Sequence, residues 1–390
     1  TEARREIVRP DGDSLHVVEA VAAIGGRTGN LEHGEVPGHV SVVIGGGSGH
    51  YPAFMGVVGA GLAHGAVVGD IFTSPSTEQV YRVGRALDGG AGVLFSFGNY
   101  AGDVMNFGAA QERLRREGID CRTVLVTDDV ASASIDEREK RRGVAGDLTV
   151  FKVAGAAADR GDSLDDVERI AIRANDLTAS FGVAFAGCTF PGQDEPLFTV
   201  APGPMDLGLG IHGEPGIETV DAMSANELAA VLVEPLLAER PEGMSRAAVI
   251  VNGLGATKYE ELFVLYTGIA RLLTDAGVEM VLPEVGELVT SLDMAGCSLS
   301  ITWLDEELEE LWRAPADSPA FRRDSGAVVG VGAGTSGESS AAVPVGSAPA
   351  EVDGAIDEPV GSEALEAAAA IRTILSALRD TVVAHEEEWG

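Results

Sequence analysis

The sequence predicts an α/β protein, with two α/β domains whose sheets are flanked by helices, followed by a flexible linker and one last helix. Short β-branched runs alternate with amphipathic stretches from the N-terminus to about residue 310. The runs end at Gly, Asn or Asp, and composition changes abruptly at Asp324. Alternation of this kind places helices over largely buried sheets.

Taken in order, "HVSVVI" (39–44), "GVLFSF" (92–97), "RTVLVT" (122–127) and "AAVIVNGL" (247–254) read as buried strands. "MNFGAAQERLRREG" (105–118) and "KYEELFVLYTGIARLLTDAG" (258–277) carry apolar residues at helical spacing and finish at glycine. Asp324 to Gly361 is rich in Gly, Ser, Ala and Pro. Such a segment buries too little apolar surface to offset its ordering entropy, and reads as a linker. Helical periodicity returns over 362–390, with Ser362 as its N-cap. The expected division is 1–190 and 191–323 for the two α/β units, 324–361 for the linker and 362–390 for the start of another domain.

With 390 residues, 45% of them hydrophobic, the chain can bury a large core. Apolar runs are broken well short of the ~20 residues a membrane span needs. No basic stretch leads into an apolar one as in a secretion signal. Cys121, Cys188 and Cys297 are widely spaced and show no CxxC pairing, which suits a reducing cytoplasm and gives no metal site. The net charge is −34, with lysine only at Lys140, Lys152 and Lys258. A surface this acidic repels nucleic acid and serves solubility.

Three glycine-rich stretches each present one candidate functional residue. "VVIGGGSGHYPAF" (42–54) is a strand running into a turn with His50; Gly45 and Gly47 fit a dinucleotide fingerprint, but His50 stands where its third glycine belongs. Gly46, Gly47, Ser48 and Gly49 either make a tight turn or present backbone N–H groups to a small polar ligand. "FSFGNYAGDVMNF" (95–107) places Asp103 near a helix start, as an N-cap or as a carboxylate able to take a hydroxyl proton. "GLGIHGEPGI" (208–217) centres on His212, either a surface residue in a turn or a functional imidazole. Loops of this kind at strand ends suggest a shared crevice. "GLGATKY" (253–259) lacks Walker spacing.

The ordered motifs "GGGSGHYP", "IFTSPS", "NYAGDVMNF", "TDDVA", "RRGVAGDLTVFKVAGAAADRGDSLD", "GCTFPG", "GIHGEPGI" and "EVGELVTSLDMAGCSLSITWLDEEL" resemble the ketose-binding domain of the dihydroxyacetone kinase family over roughly residues 10–320. The resemblance implies that His212 adds through its ring nitrogen to a ketose carbonyl, giving a covalent hemiaminal. It implies Asp103 as the base for the substrate hydroxyl and His50 as its acid/base companion. Gly46, Gly47, Ser48, Gly49 and Gly98 are then contacts to the substrate. A carbonyl is electrophilic where an alcohol carbon is not, so such a bond selects ketoses over polyols. It also fixes the terminal hydroxyl for phosphoryl transfer.

Two positions depart from the dihydroxyacetone-specific pattern: Tyr51, where those enzymes often have an acidic residue, and Gly98, where many have a lysine. In both, the sequence is more similar to the branch that phosphorylates four-carbon ketoses such as erythrulose, with Gly98 expected to make room for the added hydroxymethyl group. The last helix resembles the opening of the family's all-helical domain, which binds ATP through Mg²⁺. The resemblance therefore implies an ATP-dependent fusion, a cytoplasmic location and a homodimer in which the helical domain acts in cis or from the partner chain. A phosphoenolpyruvate-fed subunit and a ketose-binding regulator are the alternatives, distinguished by what the reading frame encodes after Gly390. A dinucleotide-dependent reductase, for which Asp70 would be the acidic residue, lacks the completed fingerprint.

Overall fold

The computed structural model describes residues 38–324. The expected linker beyond Asp324 and the helix over 362–390 lie outside the described residues.

The first sheet is wholly parallel. It contains β1 (Ser41–Ser48), β2 (Gly65–Ile71), β3 (Val93–Gly98) and β4 (Cys121–Val126), in the order β2-β1-β3-β4. Helices α1 (Thr77–Ala86) and α2 (Ala101–Arg116) cover one face, where Val43 and Phe95 pack with Val80, Val83, Phe107 and Leu114. On the other face Val42, Ile44 and Leu94 join the main core with residues of α3 (Asp147–Arg160) and α4 (Leu164–Asp176). Burial on both faces explains why these strands read as continuous apolar runs rather than alternating ones. Helix α3 is buried from Asp147 through Ala158, and its Ala- and Val-rich sequence lets it pass through the core.

The second sheet is mixed. It contains β5 (Thr178–Ala184), β6 (Met205–Leu207), β7 (Glu218–Val220), β8 (Arg246–Gly253), β9 (Glu279–Met280), β10 (Glu284–Gly286) and β11 (Gly296–Trp303). Strand β11 runs antiparallel to both β8 and β5, and β10 and β9 pair parallel with β8. Helices α5 (Ala225–Ala238) and α6 (Tyr259–Asp275) pack on each other and on this sheet, and α7 (Glu306–Arg313) packs on α3. Strand β5 belongs to this sheet although it lies within the segment 1–190. The short antiparallel pair β12 (Ala316–Asp317) and β13 (Arg322–Arg323) follows.

The four expected strands and two expected helices are present, with shifted ends. Strand β1 continues through Gly45–Gly47, and α2 begins at Ala101 rather than Met105. Arg141 fixes the segment between β4 and α3. It is 1% exposed, and its guanidinium makes two hydrogen bonds to Glu239 after α5 and one to the Ala133 carbonyl. Among the described residues no helix is long and apolar enough to cross a membrane.

Candidate functional site

The site lies where β1 and β3 end and where the loop between β6 and β7 returns. Gly45, Gly46 and Gly47 are strand residues, and close packing accounts for them. A Cβ would come within 2.2 Å of the Val67 carbonyl oxygen, 2.6 Å of the Phe54 ring and 2.7 Å of the Thr73 amide nitrogen, respectively. The chain turns after Ser48, whose carbonyl accepts from Phe72 N–H. The Gly49 carbonyl accepts from Leu292 N–H, so this turn is stitched to the segment after β10.

His50 follows, 2% exposed, with Nδ1 2.7 Å from the Thr290 carbonyl oxygen and its ring stacked on Phe72 at 5.0 Å. His212 comes from the β6–β7 loop, and its ring meets those of Phe72, Tyr100 and His50 nearly edge-on at 5.0, 4.7 and 4.8 Å. Three rings therefore leave the imidazole little freedom to turn. Its Nε2 stands 3.0 Å from Nε2 of His50.

Glu214 sets the orientation of His212. One carboxylate oxygen lies 2.9 Å from His212 Nδ1, and the other accepts from the His212 backbone N–H at 3.0 Å. Behind it, Arg142 Nη1 is 3.8 Å from Glu214 while the same guanidinium binds Asp129 and the Gly208 carbonyl. Gly210 makes this approach possible, since a Cβ there would lie 2.1 Å from Glu214 Oε2 and 2.5 Å from Arg142 Nη1.

These contacts decide the tautomers. Burial would raise the Glu214 pKa, but hydrogen bonds from the His212 ring and from backbone N–H groups, with the ring's charge, hold it at about 2. An ionised carboxylate only accepts, so His212 Nδ1 donates and the neutral ring carries its lone pair on Nε2. The Thr290 carbonyl likewise obliges His50 Nδ1 to donate. Burial first, and then the charge of His212, lower the His50 pKa to about 4, so this ring is neutral at pH 7.

Asp103 occupies the third position of α2; the N-cap is Tyr100, which makes no side-chain cap bond, so the N-cap alternative for Asp103 is excluded. Asp103 is 8% exposed, and its Oδ1 has no hydrogen-bond partner among the described residues. Burial raises its pKa to about 6, against the opposing pull of Ser74 and of the His212 charge. A carboxyl poised near neutrality with an unused oxygen is suited to accepting a proton.

Gly98 ends β3 beside Tyr100, but it leaves no void at its own Cα. A Cβ there would sit 3.2 Å from the Gly143 carbonyl oxygen and from Tyr100 Cε2, and 3.3 Å from Gly143 Cα. A side chain at Gly98 would therefore crowd Gly143 and Tyr100, and the role expected of Gly98 in admitting a larger ketose stands as a proposal.

His50 and His212 thus touch, Asp103 is coupled to His212 through charge, and Gly98 adjoins the Tyr100 ring that packs on His212. The functional side chains without an assigned role in the sequence reading are Glu214, Phe72, Tyr100 and Thr290. Each lies inside a quoted motif, and Glu214, two residues from His212, carried the clearest signal. An imidazole with Nδ1–H on a carboxylate and a free Nε2 can add to a carbonyl carbon.

Residues 16–320 match the Dak1 domain family. The chain is 58% identical over 293 residues to an L-erythrulose kinase of Pectobacterium atrosepticum, covering 74% of this chain and 50% of the relative. It is 61% identical over 288 residues to a D-erythrulose kinase of Mycolicibacterium smegmatis, with the same coverage of 74% and 50%. The chain thus spans about half the length of these curated relatives. Among solved structures, the dihydroxyacetone kinase of C. freundii in complex with AMP-PNP and Mg²⁺ superimposes with a TM-score of 0.68 at 34% identity, covering 81% of this chain and 56% of that one. Sequence, fold and comparison agree that the chain belongs to the Dak1 domain family.

Proposed function

We propose that this chain is the ketose-binding part of a kinase that captures a short-chain ketose, dihydroxyacetone or a tetrulose such as erythrulose, on His212 and phosphorylates its terminal hydroxyl. The observation that carries this reading is the His212–Glu214 pair, which commits Nδ1 to the carboxylate and turns Nε2 toward His50. The names of the erythrulose kinase relatives support the four-carbon substrate.

In the first step the Nε2 lone pair forms a bond to the carbonyl carbon and the C=O π pair moves onto oxygen. That oxygen takes a proton from solvent, and His50 Nε2, 3.0 Å from the new bond's nitrogen, is the acceptor that can take a hydrogen bond from the resulting hydroxyl. The positive charge left on the His212 ring is balanced by Glu214, whose carboxylate stays ionised. In the second step Asp103 takes the proton of the terminal hydroxyl as that oxygen bonds to the donor's terminal phosphorus and the bond from that phosphorus to the departing nucleoside diphosphate breaks. Covalent capture holds the hydroxyl in place and removes most of the entropic cost of that encounter.

The phosphoryl donor in this reading is ATP with Mg²⁺. Its binding is assigned to the helical domain whose opening the segment 362–390 resembles, in cis or from a partner chain. The reading extends to a cytoplasmic homodimer.

The test is mass spectrometry of the 390-residue chain after incubation with dihydroxyacetone, each erythrulose enantiomer and glycerol. A mass increase is expected with ketoses alone and is expected to vanish in His212→Ala. A His212→Ala variant that keeps the adduct, or keeps full phosphorylation with its nucleotide domain present, overturns the reading.

A further inference from the structure

Two aspartates, Asp128 just after β4 and Asp147 at the start of α3, meet at the turn that leads into this helix, and their surroundings differ. Asp128 is fully buried and satisfied, its carboxylate accepting from Val144 N–H and Gly146 N–H at 2.8 Å each, which makes it a brace for the turn. Asp147, the first residue of α3, is 3% exposed, and its Oδ1 has no hydrogen-bond partner among the described residues. A buried polar atom without a partner is costly and uncommon in native proteins, so a ligand that completes it is the natural explanation.

Asp147 lies beside the ends of β3 and β4, where Gly143 and Gly98 face each other. A Cβ on Gly143 would lie 2.4 Å from Gly98 Cα, 2.7 Å from the Val126 carbonyl oxygen and 3.0 Å from Asp147 Oδ1. Bare backbone at both positions lets the turn close onto the ends of β3 and β4 and brings the Asp147 carboxyl with it. The same Gly98 borders Tyr100, whose ring packs on His212 at 4.7 Å. Burial above all, and then the charges of Asp128 and Asp103, push the Asp147 pKa well above the usual carboxylate range. A protonated carboxyl both donates and accepts, which is what a sugar hydroxyl needs.

We infer that Asp147 is a specificity-determining residue whose carboxyl hydrogen-bonds the hydroxyl that a four-carbon ketose carries beyond those of dihydroxyacetone. The inference rests on the ketose-kinase reading above. Sites built to bond a hydroxyl discriminate strongly against analogues lacking it, because the buried group is then left unpaired.

The test compares Asp147→Ala, Asp147→Ser and Asp147→Asn with the unaltered 390-residue chain, titrated calorimetrically with each erythrulose enantiomer and with dihydroxyacetone. Asp147→Ala should weaken binding of at least one erythrulose enantiomer by about 10- to 100-fold and leave dihydroxyacetone within about twofold. Asp147→Asn, close in shape to a neutral carboxyl and also a donor and acceptor, should stay within about threefold for both sugars. Should the alanine variant fail to fold, the serine variant must show the same selective loss. Equal weakening of both sugars, or no change in either, overturns the inference while the ketose-kinase reading stands. An unaltered chain that binds no ketose removes the reading itself.

Discussion

The Nε2 atoms of His50 and His212 face each other at 3.0 Å while both Nδ1 atoms are committed to acceptors, the Thr290 carbonyl and the Glu214 carboxylate. In their neutral forms both rings therefore point a lone pair at the same small space. A proton shared between them relieves that opposition, and so does bonding of the His212 lone pair to an electrophilic carbon beside the pair, as in the proposed mechanism.

Glu214→Gln should retain the fold and most sugar contacts but slow adduct formation. The amide cannot balance the charge that develops on the His212 ring, and it weakens the hold on one tautomer. A loss of about 10²- to 10⁴-fold is expected from removal of such a partner. Rapid-quench mass spectrometry of adduct formation measures it, and an unchanged rate would remove Glu214 from the mechanism.

Asp103 gives a pH signature in two observables. Phosphorylation should fall as pH drops through about 6, where the Asp103 carboxyl protonates. His50, at about 4, contributes no limb between pH 5 and 8. Because the folded-state pKa is raised above the ordinary 3.8, Asp103 favours the folded state most below 3.8, and that advantage is lost as pH rises through 6. Asp103→Asn should thus lose about 10²- to 10⁴-fold in turnover, lose the acid limb, and gain stability of at most about 3 kcal/mol at pH 8 but little near pH 3. Denaturation midpoints at the two pH values check the second part.

Gly210→Ala should damage the site without unfolding the protein. The new methyl collides with the mobile ends of Glu214 and Arg142 rather than with backbone. Glu214 is then displaced from His212 Nδ1, and adduct formation should fall about 10-fold or more. A melting temperature close to that of the unaltered chain, together with the slower adduct, distinguishes displacement from misfolding.

Arg141→Met should be among the most destabilising single changes. It leaves Glu239 without its bidentate partner at a largely buried position, for which losses of about 3–5 kcal/mol are typical. Urea unfolding of Arg141→Met against Arg141→Met/Glu239→Leu tests this. The double variant should recover part of the loss, since the stranded carboxylate is gone.

The apolar runs in "HVSVVI" and "RTVLVT" made the parallel sheet legible, since strands buried on both faces carry the same chemistry on both. Short strands such as Met205–Leu207 and Glu218–Val220 were not legible, because three residues carry no usable period and pairing decides them, β6 with β5 and β7 with β6. The ends of α2 shifted for a similar reason: Ala101 and Gly102 have no apolar periodicity, and the helix is started by the turn after β3.

At the site, the sequence by itself determined which candidate groups the chain carries. His50, Asp103 and His212 stood out because each is an ionisable group among glycines, in motifs whose order matches one family. Tertiary structure decided how those groups are tuned. The Nδ1 partners of the two histidines, the ring cage from Phe72 and Tyr100, and the orphaned carboxyl of Asp147 depend on atoms brought together from opposite ends of the chain. Thr290 lies 240 residues from His50. Protonation and orientation are set by burial and by neighbours within a few ångströms, and a linear sequence records neither.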